Sequence, residues 1–314
     1  MKQQIIRQFL EEGILVSPDA LEKIDEKNAD SALEQAKSAG TIVFSPGEGE
    51  ASAEETNVSV RKLQRRQKFT PQDFAAYYNS RFEGLRAILE KKLGDVLSVA
   101  NARRSAGQVS AIGMVREATP RGFIMEDTTG WAEVITKSED VAPDDVIGVR
   151  GAVKEERIFA EELIWPDVPL SRSNNRPGMK ILLTDKDGHK AEEDTIVVTP
   201  EAVHGFDKKK SSLPNPGWIT INKDPLAVTI LVYRPDKPVT AKEAFAWLRK
   251  RHICPDRSQI RGTDDPFLIE PIPDVLWIVQ AEKWKESYKG VIVVSTDGRE
   301  ATEVDLATGE VKAP

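Results

Sequence analysis

Residues 108–169 read QVSAIGMVREATPRGFIMEDTTGWAEVITKSEDVAPDDVIGVRGAVKEERIFAEELIWPDVP. Short β-rich runs alternate with turn chemistry at nearly even spacing, the pattern of a small closed or half-closed sheet. Val109–Val115 is the first run. Arg121–Met125 and Trp131–Thr136 flank the turn Asp127-Thr128-Thr129-Gly130, where glycine supplies positive φ. Lys137–Val141 leaves room for one helical turn. Asp145–Val153 and Arg157–Trp165 then close around the corner Lys154-Glu155-Glu156.

Five strands with a short helix between the third and fourth is the arrangement of an OB-fold. Immediately upstream, Thr70-Pro71-Gln72-Asp73 pairs an N-cap threonine with proline at the first helical position. The helix it opens runs to about Leu93 and stops at Gly94. Phe74, Tyr78, Phe82, Leu85 and Leu89 fall at helical spacing, a packing stripe predicted to lie across the barrel and cover one mouth.

Further out, residues 1–44 read as a small helical module. Ile5, Ile6, Phe9 and Leu10 share a face before Gly13; Ser17-Pro18-Asp19 opens a second helix and Asp30 a third. Residues 45–68 are expected to be a flexible linker, beginning with the acidic SPGEGEASAEET and ending in the basic cluster Arg61, Lys62, Arg65, Arg66 and Lys68. That cluster suits either a docking arm or a solvated linker end.

The chain has 314 residues and a net charge of −7, which argues against coating duplex DNA unaided. A single cysteine, Cys254, excludes a disulfide framework and fits a reducing compartment. No apolar run reaches the ~20 residues of a membrane span. These features predict a soluble cytoplasmic protein without a membrane partner.

Residues 171–314 predict an α/β sandwich. Lys180–Thr184, Ile196–Pro200, Trp218–Ile221, Ala227–Tyr233, Val275–Val279, Gly290–Val294 and Thr302–Leu306 read as strands. Thr240 caps a helix reaching His252, and Thr308-Gly309 makes a final hairpin. The fold class is therefore α+β and multidomain: helical module 1–44, linker 45–68, helix plus barrel 69–170, sandwich 171–314.

Several segments together carry a family resemblance: YNSRFEGLRAILEKKL (78–93), IGMV (112–115), MEDTTG (125–130), DDVIGVRG (144–151), IWPDVPL (164–170), KRHICP (250–255), IEPIPDVL (269–276), YKGVIVVSTDG (288–298) and VDLATGEV (304–311). In order and over most of the chain, they resemble the small subunit of the archaeal family-D replicative DNA polymerase. The resemblance implies an OB-fold joined to a calcineurin-like phosphoesterase domain that carries a two-metal 3′→5′ exonuclease site. Two metals about 3.5–4 Å apart clamp the attacking and leaving oxygens. The family's motifs are Asp-x-His, Gly-Asp, Gly-Asn-His-Asp, a later His, and Gly-His-x-His.

This chain departs from them. Asp185 matches the first Asp, but Lys186 and Asp187 follow, and His189 arrives two residues late. The third motif becomes Glu201-Ala202-Val203-His204-Gly205-Phe206-Asp207, and Trp277-Ile278-Val279-Gln280 stands where Gly-His-x-His belongs. With three histidines in all, one of them in KRHICP, the chain cannot cage two metals. Asp185, His204 and Asp207 read as remnants; no catalytic residue, metal or cofactor is expected, and the sandwich reads as a trimmed, inactive phosphoesterase-type domain.

The resemblance thus implies a non-catalytic accessory subunit, or inactive paralogue, that binds the large catalytic subunit and meets DNA within the complex. Ile164, Trp165, Pro166 and Asp167 mark the junction of barrel and second domain. An alternative is a stand-alone OB-fold protein for single-stranded nucleic acid. For it, Phe123 and Trp131 are the stacking candidates, and Arg103, Arg104 and Arg121 the phosphate partners.

Overall fold

The computed structural model describes residues 2–12, 14–16, 24, 29, 32–33, 43–44, 57–63, 70–138, 140–170, 176–186, 195–205, 210–223, 225–253 and 262–312. The chain forms two compact units, Met1–Thr56 and Asn57–Pro314. In the first, helix Lys2–Glu11 turns Ile5 and Phe9 onto Ile14, Ile24 and Ala29. Leu15–Val16 (β1) pairs in parallel with Val43–Phe44 (β2), which the helical reading does not anticipate. The second and third expected helices fall mostly outside the described residues, although Ala29, Ala32 and Leu33 are helical.

The second unit opens with a strand, Asn57–Val60 (β3), where the sequence predicts flexible linker. Val58 and Val60 alternate with polar neighbours and pack on the edge of a large sheet. Arg61 continues the docking. Its guanidinium lies 4.9 Å from the Trp218 ring centre, and Nη2 donates to the Glu270 carbonyl at 2.8 Å. Burial lowers the Arg61 pKa, against the opposing charge of Glu270.

Helix Pro71–Leu93 starts at the expected capping box: Thr70 and Asp73 each bond the other's backbone N–H. Its buried face is rotated from the predicted one. Tyr77, Arg81, Leu85, Leu89 and Leu93 are buried at unbroken four-residue spacing, whereas Phe74 is exposed.

The barrel comprises Gly107–Thr119 (β4), Gly122–Asp127 (β5), Gly130–Ile135 (β6), Val146–Lys154 (β7) and Arg157–Ile164 (β8), closed in the order β4-β5-β6-β8-β7. Val109, Ala111, Val115, Phe123, Met125, Val134, Ile147, Val149 and Ile158 fill its interior. The helical turn expected at Lys137–Val141 is absent among the described residues. Side chains take its backbone donors instead: Thr136 Oγ1 accepts from Ser138 N–H, and Asp145 from Ala142 N–H.

The long helix does not cover the mouth. Phe82, Leu85, Leu89 and Leu93 pack on Ile112, Met114, Val146 and Ile164, the outward residues of β4, β7 and β8. It comes so close that a Cβ on Gly148 would sit 2.6 Å from Leu93 Cδ1. The short helix Val99–Arg104 supplies the plug, sending Val99 and Ala102 into the barrel core. Asp127 fixes it: Oδ2 accepts from Val99 N–H at 2.9 Å, while Oδ1 holds the β5–β6 turn through Thr129 and Gly130.

Beyond the barrel, two six-stranded sheets stack. Lys180–Leu183 (β9), Thr195–Thr199 (β10), Ala202–His204 (β11) and Lys210–Ser212 (β12) lie in one. Gly217–Lys223 (β13), Leu226–Tyr233 (β14), Val275–Ile278 (β15), Trp284–Tyr288 (β16) and Val291–Ser295 (β17) lie with β3 in the other. Thr302–Asp305 (β18) and Val311–Lys312 (β19) return to the first. β15 is buried at every position because Val275 and Trp277 face the first sheet, while Leu276 and Ile278 face helix Ala241–Lys250 and Phe267.

Candidate functional site

The junction segment stands between barrel and sandwich. Trp165 is buried, with the Arg249 guanidinium and Lys250 ammonium 4.9 and 5.4 Å from its ring centre. Its carbonyl accepts from Lys92 Nζ at 3.1 Å, tying in the end of the long helix. Pro166 is buried, and Ile164 is half-buried against the helix. Asp167, at φ 38, anchors the far side. Its N–H donates to the Arg249 carbonyl, and its carboxylate takes the Tyr288 hydroxyl at 3.0 Å and the Lys289 ammonium. Burial and then the bond to Asp167 push the Tyr288 phenol up to about 12.

A second, buried connection carries no obvious sequence signal. Asp265, on the loop before β15, receives Arg81 Nε at 2.6 Å, the Tyr77 hydroxyl at 2.8 Å and Phe267 N–H at 3.0 Å. His252 Nε2 lies 2.9 Å from the same carboxylate. Burial works to raise the Asp265 pKa; His252 and Arg81 outweigh it and hold the carboxyl well below its ordinary range. Beside this network Lys250 Nζ meets Asp145 Oδ2 at 2.7 Å, joining the sandwich helix to the barrel. Asp145 is shifted up by burial, with Lys250 opposing. Gly84 permits the close approach of the long helix, since a Cβ there would lie 2.7 Å from Leu268 Cδ2. One clue was available: Arg81 stands inside the i, i+4 series of apolar residues, where a cation needs a buried partner.

The expected remnants do not converge. Asp185 is exposed just beyond β9, its N–H bonded to the Gly298 carbonyl. His204, half-buried, ends β11, two strands away and level with Val197, itself level with Leu182. Two strand spacings of ~4.8 Å and three residues of ~3.3 Å separate them, too far for one metal ion. Asp207 lies outside the described residues. Among the described residues no three His, Cys, Asp or Glu side chains gather where a metal could sit.

The nucleic-acid candidates are dispersed. Phe123 is 1% exposed in the barrel core and cannot stack on a base while the barrel stays closed, which corrects that assignment. Trp131 is 43% exposed, with Arg103 and Arg116 guanidiniums 4.5 and 5.7 Å from its ring centre. Arg103 also pairs with Glu156 at 2.5 Å. Arg104 is exposed on the short helix, and Arg121 is exposed at the opposite end of β5 from Asp127. The structure therefore brings Arg103 to Trp131 and leaves Arg121 apart.

No helix among the described residues is long and apolar enough to cross a membrane. No family model matches the chain. It is similar to the DNA polymerase II small subunit of Archaeoglobus fulgidus, 35% identical over 115 residues, covering 33% of this chain and 23% of that protein. The same-named protein of Thermoplasma acidophilum is 29% identical over 191 residues, covering 52% of this chain and 38% of the relative. That of Methanothermobacter thermautotrophicus is 34% identical over 113 residues, covering 31% and 23%. The chain thus spans well under half the length of these curated relatives. Over that shared part, it is related in sequence to the DNA polymerase II small subunits, as its motifs lead one to expect.

Proposed function

We propose that this chain is a non-catalytic accessory subunit of a family-D DNA polymerase, acting in the cytoplasm. It binds the large catalytic subunit and supports DNA synthesis within that complex. The similarity to three proteins named DNA polymerase II small subunit carries the reading. The stand-alone single-strand binder is not favoured beside it. We read the barrel within 69–170 as an OB-fold, and 171–314 as a trimmed calcineurin-like phosphoesterase domain. The separation of Asp185 from His204 supports a scaffold over a nuclease. Rigidity supports the same role: Trp165, Asp167, Asp265 and Asp145 fasten barrel to sandwich, so both would present one surface to a partner. Gentle lysis followed by affinity capture of the tagged chain tests the proposal. The polymerase large subunit should co-purify; a chain recovered repeatedly without it would overturn the reading.

A further inference from the structure

We propose that the open edge of β16 takes up an extended segment of a partner protein, added as a further strand with its acidic side chains turned into the cleft alongside. The strand order leaves β3, β12, β16 and β19 at sheet edges. β16 is the longest of the four, carries no proline, and pairs with β17 without a bulge. It therefore lacks the devices that ordinarily blunt an edge.

The register shows which backbone groups face outward. Lys289 and Gly290, at φ 46 and 81, form the two-residue turn between β16 and β17. Ser287 stands opposite Ile292. Ile292 N–H donates to the Asp274 carbonyl at 2.9 Å, on the side of β15, so Ser287 and Ile292 exchange no hydrogen bonds. Antiparallel pairs alternate, and Lys285 and Ser287 both turn their N–H and C=O away from β17. Among the described residues no backbone partner reaches these four groups. They form a template for another strand.

The cleft supplies the selectivity. It has a volume of about 510 Å³ and lies between β16 and the β18–β19 hairpin, with Arg176, Lys285, Ile292 and Val311 in its lining. Ile292 and Val311 are buried, a floor that suits methylene groups. Lys285 Nζ donates to the Val311 carbonyl at 2.8 Å, which draws its charge into the cleft and away from guarding the edge. An ammonium has two further donors, and among the described residues Lys285 has no carboxylate partner. The cleft's own acids are engaged or averted. Asp274 holds Arg176 at 3.2 Å, and the Glu310 carboxylate pairs with Lys312 at 3.4 Å. Alternation places Glu286 on the opposite face, with Trp284 and Tyr288. A glutamate on the added strand would lay its methylenes on Ile292 and Val311 and its carboxylate on Lys285. The partner's alternate residues would face Glu286, which favours hydroxyl or basic side chains there. The site needs no polymerase large subunit, so its failure would leave the accessory role untouched.

Fluorescence anisotropy of the full chain with a labelled peptide of alternating threonine and glutamate tests it, together with amide hydrogen exchange. The peptide should bind saturably, and the Lys285 and Ser287 amides, fast to exchange in the free chain, should become protected. A threonine–glutamine peptide should bind ~3–10-fold more weakly, and Lys285→Gln should erase that difference along with the salt dependence. Ser287→Pro removes an outward N–H while sparing the ladder to β17, and should weaken binding about tenfold or more. Ser287→Ala should bind like wild type. Lys285→Gln alters an exposed side chain and keeps the test decisive should Ser287→Pro not fold. No saturable binding below about 1 mM peptide would overturn the proposal. So would binding that leaves both amides unprotected, or that Ser287→Pro does not weaken. A free chain that light scattering finds dimeric, with both amides already protected, would assign the edge to a second copy and overturn the peptide occupant; a monomer with both amides exchanging freely supports it.

Discussion

Arg81 on the long helix and Asp265 on the loop before β15 meet at 2.6 Å, with side chains 6% and 1% exposed, although they stand 184 positions apart in the chain. Removing one partner of a buried pair leaves the other charge without compensation. Asp265→Ala should cost ~3–5 kcal/mol, because both Arg81 and His252 lose their carboxylate. Tyr77→Phe removes a single hydrogen bond and should cost ~0.5–1.5 kcal/mol. Urea unfolding followed by tryptophan fluorescence separates the two. Equal, small losses would mean the network contributes little.

The same carboxylate sets an acid limit. Despite burial, His252 and Arg81 lower the Asp265 pKa, so the folded state holds this proton less tightly than the unfolded chain. Its stabilisation is complete above the unfolded value of ~3.9 and is lost as pH falls below it. Asp145, raised by burial, has the opposite sign and weakens the fold as pH rises through that region. Melting temperatures should therefore drop more steeply below about pH 4 in wild type than in Asp265→Asn. Parallel curves would contradict this assignment.

At the alkaline end Tyr288 is the group to watch. Its folded pKa near 12 lies above the unfolded value of ~10. The stabilisation is present below the unfolded value and declines as pH rises from there toward 12. Tyr288→Phe should melt with a shallower slope in that window. An unchanged slope would show that the phenol's bond to Asp167 is not what titrates.

How much of this was legible beforehand depends on range. The barrel strands announced themselves through two-residue alternation and the Asp127–Gly130 turn, and the long helix through Thr70 and Asp73, since each signal sits within a few residues. Which helix plugs the barrel was not legible: both helices carry apolar faces, and only the bonds from Val99 and Ala100 to Asp127 and Thr129 decide it. Asn57–Val60 was hidden because four residues between polar runs carry almost no periodicity, and its partner β13 is about 160 residues away in sequence. The pairing of Arg81 with Asp265 was beyond local reading for the same reason.

Asp127 gives a local test of the plug. Asp127→Ala removes the acceptor of Val99 N–H together with the bonds that shape the β5–β6 turn. The expected loss is ~1–2 kcal/mol, with faster hydrogen exchange confined to the short helix and the turn. Protection lost instead along the helix Pro71–Leu93 would give that helix the plugging role.

Trp165 tests the junction. Trp165→Ala empties a buried position between barrel and sandwich and should cost ~3–5 kcal/mol. Trp131→Ala, on an exposed wall of the barrel, should fall within about 1 kcal/mol of wild type. Equal melting temperatures for the two variants would mean that the junction tryptophan does not hold the domains together.

The most direct measurement is the mass of the assembly. Co-expressed with a family-D polymerase large subunit from the same organism, the chain should elute with it in size-exclusion chromatography with light scattering, at a mass containing both proteins. The two proteins eluting separately at micromolar concentration, each at its own mass, would contradict the accessory-subunit account.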